Sequence, residues 1–229
     1  MNIRKKQQMS LFFWRRYSAT LDRINRNALN KEFAMKNQTV LSFPNRSEQW
    51  RYLYQEILEK APIDYLEFGV FRGDSIREWI NLSISPHSRF YGFDTFTGLP
   101  EHWFKNFSKS TFNVDGKIPD ITDSRVTFVK GTFQDTVGNF LNGFSRKNRI
   151  VVHIDADLYS STLFVLLSMH YYLKEGDIIL FDDFLDPLGE FMAFNNYCQA
   201  FRISPKLISG VKYGELFDKV AFMVISAIK

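Results

Sequence analysis

From residue 47 onward, short apolar runs and longer stretches of helical spacing take turns along the chain. The runs at 64–69, 89–94, 125–130, 150–154 and 177–181 are rich in β-branched and aromatic residues, which predicts strands buried on both faces. Between them, helical patterns cover 47–60, the stretch ending near Leu82, 134–143 and 161–174. Ser47 is the expected cap of the first helix and Pro62 follows its end. A further helix begins near Glu190, where Phe191, Phe194 and Tyr197 read as core packing. Two last strands near 203–208 and 219–226 have no helix between them and predict a closing antiparallel hairpin. Repeated β-α order implies a doubly wound α/β fold, a mostly parallel sheet with helices on both faces.

Ahead of this region, Trp14, Tyr17, Leu21, Ile24 and Ala28 recur at spacings of three and four, with Arg15, Arg16, Arg23 and Arg26 around them. That is the pattern of an amphipathic helix. The chain therefore divides into a basic, partly helical arm, 1–46, and one domain, 47–229. Packing of the arm on its own domain or on a twin subunit, a homodimer, is the plainer expectation. Peripheral contact with an anionic membrane face is the alternative.

Charge sharpens this division. Residues 1–36 carry nine Lys and Arg against Asp22 and Glu32, so the net +4 of the whole chain leaves the other 193 residues at −3. Nucleic-acid binding by the domain is disfavoured. With 229 residues, 45% of them hydrophobic and 24 of them Phe, there is material for one large core. The single cysteine, Cys198, reads as buried, and neither a secretory signal nor a membrane-spanning run is present, so a cytoplasmic setting is expected.

Two acid pairs suggest the chemistry. Asp155-Ala156-Asp157 and Asp182-Asp183 each follow a predicted strand. Acids at the carboxyl ends of parallel strands converge on the ligand crevice, and several together call for a cation. Asp182-Asp183 as a polar turn and Asp157 as a helix cap are the plainer alternatives. The turn Glu67-x-Gly69-x-x-x-Gly73 lets the backbone approach a ligand at a helix start, and Asp94, ending the next strand, is placed to accept from a ribose diol. Neither the dinucleotide glycine pattern nor a phosphate loop is present.

These segments, 65–75, 91–101, 153–162 and 176–183, together resemble the class I S-adenosylmethionine-dependent methyltransferases, and within them the macrocin O-methyltransferase family, over residues 47–229. The resemblance implies a seven-stranded sheet with an antiparallel last strand. It implies that Glu67, Phe68, Gly69, Gly73 and Ser75 hold the methionine part of the cofactor, that Asp94 and Thr95 hold the ribose, and that Thr132, Phe133 and Gln134 face the adenine. It makes Asp155, Asp182 and Asp183 the ligands of Mg²⁺ or a similar divalent ion, with Mn²⁺ or Ca²⁺ as substitutes. Asp155 or Asp157 is the candidate base, with His153 behind them; Asp157 is equally placed to complete the metal shell. The implied activity is metal-dependent O-methylation, on a sugar hydroxyl of a glycan precursor or glycosylated metabolite. A catechol or lipid hydroxyl, or a catalytically silent adaptor in a membrane-associated glycan assembly complex, are the alternatives. The aromatic stretch Phe96 to Phe112, containing Trp103, Phe104 and Phe107, is either an acceptor lid or an anchor to the core.

Overall fold

The computed structural model describes residues 24–101 and 110–225. Eight strands, β1 (Ser42–Phe43), β2 (Ile63–Phe68), β3 (Arg89–Asp94), β4 (Val126–Lys130), β5 (Arg149–Ile154), β6 (Ile178–Phe181), β7 (Lys206–Tyr213) and β8 (Leu216–Met223), form one sheet. Their order is β1-β7-β8-β6-β5-β2-β3-β4, and only β8 runs antiparallel to its neighbours. This is the expected mixed α/β sheet, enlarged by the two-residue β1. In the closing hairpin β7 starts later and β8 earlier than the pattern predicts, since the strand runs on through Ser209-Gly210, which interrupt the apolar run. Gly210 is nonetheless in the strand, and a Cβ there would lie 2.4 Å from the Phe217 ring that packs over it.

Helices cover both faces. A first helix, α1, is helical from residue 24 to 36; α2 (Arg46–Tyr52), α3 (Asp74–Leu82), α4 (Phe133–Gly143), α5 (Tyr159–Met169) and α6 (Glu190–Phe201) follow. Asn45, not Ser47, caps α2, its side chain accepting the Glu48 N–H at 3.0 Å. The helix expected to reach residue 60 turns into a π-helical segment, Leu53–Ile57, which ends in left-handed Glu59 and Lys60.

Strand alternation splits the core. Leu66, Phe68, Val152, Ile154 and Phe181 fill one face, against Val165, Phe191 and Phe194. Tyr65, Phe90, Val151 and Leu180 fill the other, against Trp50 and Trp79.

The described part of the arm belongs to the domain. The Phe33 ring packs against Phe184, Phe191, Phe217 and Phe222 at centroid distances of 5.5–6.1 Å. Asn30 Nδ2 donates to the carbonyls of Phe184 and Leu185, each at 3.3 Å. Among the described residues, α1 packs on the domain across the expected boundary at residue 46. The docked face is Asn30, Phe33 and Ala34, whereas Ile24 and Ala28 of the expected stripe are exposed. Trp14, Tyr17 and Leu21 lie outside the described residues, as do Trp103, Phe104 and Phe107. Among the described residues no helix is long and apolar enough to cross a membrane.

Candidate active site

The chain runs outward through β2, β3 and β4 and then returns to place β5 beside β2, so the sheet's switch point lies between β2 and β5. Crevices for ligands open at such points, beyond the carboxyl ends of the strands. Here the ends are Phe68 and Ile154, paired in register, and the next residues are Gly69 and Asp155. Gly69 has φ +99°, and its N–H donates to the Phe93 carbonyl at 3.0 Å. Gly73, at the amino end of α3, completes the turn without lining the cleft.

Asp94 fastens this turn. One carboxylate oxygen accepts the N–H groups of Val70 and Phe71, both at 2.8 Å, and the other accepts that of Phe96 at 2.7 Å. A carboxylate offers about four acceptor positions, so capacity remains for a ligand hydroxyl. Asp94 also lines the cleft with Gly69, Thr95, Thr132, Phe133 and Gln134, while Asp155, Ala156 and Asp157 border it from β5. Counting the space open to solvent, the cleft encloses about 720 Å³, a small-molecule size. Phe71, Leu99, Pro100, Phe112 and Ser161 line it too. Leu99, Pro100 and Phe112 fall in the 96–112 stretch that the sequence offers as lid or anchor, whereas nothing in the sequence singles out Phe71 or Ser161 for binding.

Other expected cofactor residues act from behind. Glu67 is fully buried, accepts a short hydrogen bond from the Ser75 hydroxyl, and keeps Oε2 without a hydrogen-bond partner. Burial pushes its carboxyl up to about 7, against the lowering influence of His153, Ser75 and Tyr65. The Phe68 side chain is core, stacked on Phe93 at 4.7 Å, so only its backbone reaches the site. Phe133 meets Phe68 edge-on at 5.5 Å. Thr95 donates to the Gly98 carbonyl at 2.8 Å, and Thr132 caps α4.

The acids converge as a different trio from the one expected. Ligand atoms of Asp155, Asp157 and Asp183 all lie within 4.8 Å of one another. Asp157 takes left-handed backbone, φ +57°, at this point. Burial, then the charge of Asp183 and a hydrogen bond with it, push the Asp157 carboxyl up to about 9. Burial and the neighbouring acids likewise hold Asp155 well above the usual range, and Asp183 is raised. Like charges this close require protons or a cation, and three carboxylates suit a hard divalent ion.

Asp182, expected among the ligands, is instead paired with cations. Its carboxylate accepts from Arg46 Nη1 at 2.9 Å and lies 3.3 Å from Lys219 Nζ. Adjacent residues at a strand end leave on opposite faces, which sends Asp182 toward α2 and Arg46. Burial alone would raise this carboxyl; His153, Lys219 and Arg46 reverse that and hold it below the ordinary carboxylate range. His153, expected behind the candidate bases, lies away from the cleft. It is fully buried in β5 with Nδ1 2.6 Å from the Tyr65 hydroxyl and Nε2 3.6 Å from Asp182.

The macrocin O-methyltransferase (TylF) family model matches residues 44–213. The chain belongs to this family. It is an S-adenosylmethionine-dependent O-methyltransferase. A comparison with curated proteins finds no match. Among solved structures, the calicheamicin methyltransferase CalS11 is similar with a TM-score of 0.62 at 23% identity, covering 79% of this chain and 80% of that one. The O-methyltransferase NovP has a TM-score of 0.59 at 21% identity, covering 79% of each chain. An O-methyltransferase from Bacillus cereus, in complex with SAH, has a TM-score of 0.51 at 15% identity, covering 87% of this chain and 90% of that one. At these identities the structures show a shared fold. Two acceptors would suit S-adenosylmethionine: Asp94, which borders the cleft with acceptor capacity to spare, and behind the cleft wall the buried Glu67 Oε2, which has no hydrogen-bond partner.

Proposed function

We propose that the protein transfers a methyl group from S-adenosylmethionine to a sugar hydroxyl, with a divalent cation, Mg²⁺ first, held by Asp155, Asp157 and Asp183. The convergence of these three carboxylates, two of which, Asp155 and Asp157, border the cleft, carries this reading. The sugar comes from the relatives: a second CalS11 structure is described as a TDP-rhamnose 3'-O-methyltransferase.

Each residue then has a defined task. The glycine turn, Asp94 and Phe133 fix the cofactor in the cleft, so that its sulfonium methyl is aligned with an incoming oxygen. An alcohol is a poor nucleophile. Asp155 and Asp157 belong both to the cleft wall and to the acid cluster, so the acceptor's proton passes to one of them. A bound divalent ion would supply Lewis acidity, lowering the pKa of the coordinated hydroxyl. Asp182 stays outside the reaction, its charge balanced by Arg46 and Lys219.

A panel of nucleotide-activated sugars, glycosides, catechols and lipid hydroxyls, incubated with methyl-labelled cofactor, tests the reading. Label should enter a sugar, with Mg²⁺ and not with chelator. Transfer confined to a catechol or lipid would assign a different acceptor class, and transfer indifferent to chelator would remove the cation.

A further inference from the structure

We propose that Glu190 is the positioning residue that sets the spacing of the acid cluster. Glu190 opens α6 and is fully buried. Its Oε1 accepts the N–H of Ala156 at 3.1 Å, and its Oε2 accepts the N–H of Asp183 at 3.0 Å. The first amide lies between Asp155 and Asp157 in the loop after β5; the second belongs to a cluster acid after β6. One carboxylate thus fastens the two loops just beyond the last backbone bond between their strands, from the Asp182 N–H to the Ile154 carbonyl at 3.1 Å.

Glutamate suits the task because both oxygens accept, whereas glutamine has a single acceptor oxygen and serine a single hydroxyl. The length is matched as well, since the two amides sit on different strands' extensions. The same helix end presses on the first loop: a Cβ at Gly189 would lie 2.7 Å from the Asp157 carbonyl oxygen. Glu190 lies outside the trio, and each of its oxygens is already engaged, so it acts through the loops.

This inference rests on the cation reading given above. Loss of a group that orients metal ligands typically weakens metal affinity about 10–100-fold. The test is calorimetric titration of the full chain with Mn²⁺ and, separately, with S-adenosylhomocysteine, for wild type, E190Q, E190D and D155N. E190Q keeps volume and loses one acceptor; E190D keeps charge and loses reach. Both should bind Mn²⁺ at least about tenfold more weakly, with S-adenosylhomocysteine affinity unchanged. If E190Q does not fold, E190D carries the same comparison. Wild-type Mn²⁺ affinity in E190D, or in both Glu190 variants while D155N loses it, overturns the positioning role and leaves the cation site standing. No Mn²⁺ binding by wild type overturns the cation reading and this inference with it.

Discussion

A Cβ on Gly69 would lie 1.8 Å from the backbone carbonyl oxygen of Asp155. The glycine turn after β2 and the acid loop after β5 are therefore packed backbone to backbone, with Asp155 N–H donating to the Phe68 carbonyl at 2.9 Å. Gly69→Ala adds a side chain where none fits and, at φ +99°, a backbone strain of about 1–3 kcal/mol. The variant should melt lower and lose S-adenosylhomocysteine affinity in calorimetry. Wild-type binding by this variant would mean the turn does not shape the cleft.

The neighbouring acids Asp182 and Asp183 should fail in different ways. Asp183→Asn removes a member of the trio, so Mg²⁺-dependent turnover should collapse while cofactor binding persists. Asp182→Asn leaves Arg46 and Lys219 against a neutral amide. Its main effect should be a stability loss of about 1.5–3 kcal/mol, the range for a charge-assisted hydrogen bond, read by urea denaturation. Identical phenotypes would contradict the division of roles.

The β-α order, the strand positions and the acid pairs were legible in the sequence because buried strands and strand-end acids leave periodic signals. Which acid goes where was not. Asp157 enters the trio through a left-handed backbone turn, φ +57°, and Asp182 leaves it because Arg46, far away in sequence, waits on its face. Glu190 read as the start of a packing helix, and only the folded chain shows its carboxylate between two loops. The two residues of β1 are too short for any pattern, and the docking of Phe33 depends on four distant rings.

Below the sheet, Asp64 supplies a pH-dependent part of stability. It is fully buried and accepts from Arg89 Nε at 2.9 Å and Nη2 at 2.6 Å, and from the Lys147 N–H at 2.8 Å. Burial would raise this carboxyl, but Arg89 and the Lys147 and Asn148 groups outweigh it and hold it below its ordinary value. A depressed acid stabilises the fold above its unfolded pKa, and that contribution fades as pH falls through the folded pKa. Asp64→Asn should therefore cost roughly 3 kcal/mol near neutrality, the low end for a broken buried pair because Arg89 is partly exposed. The gap to wild type in urea midpoints should narrow below about pH 4. A gap constant with pH would rule out the ionised form as its source.

Phe33→Ala tests whether α1 is part of the folded unit. The ring contacts four core phenylalanines, so its loss should cost about 3 kcal/mol and lower the melting temperature in one cooperative transition. An unchanged melting temperature would place α1 outside the domain's cooperative core.

The most direct test of the whole account is a crystal structure of the complex with S-adenosylhomocysteine and Mn²⁺, with anomalous data collected at the manganese edge. We expect the cofactor between Gly69, Asp94 and Phe133, and an anomalous peak bounded by Asp155, Asp157 and Asp183. A cleft filled by cofactor with no peak at those carboxylates, or with the metal beside Asp182 and Arg46 instead, would contradict it.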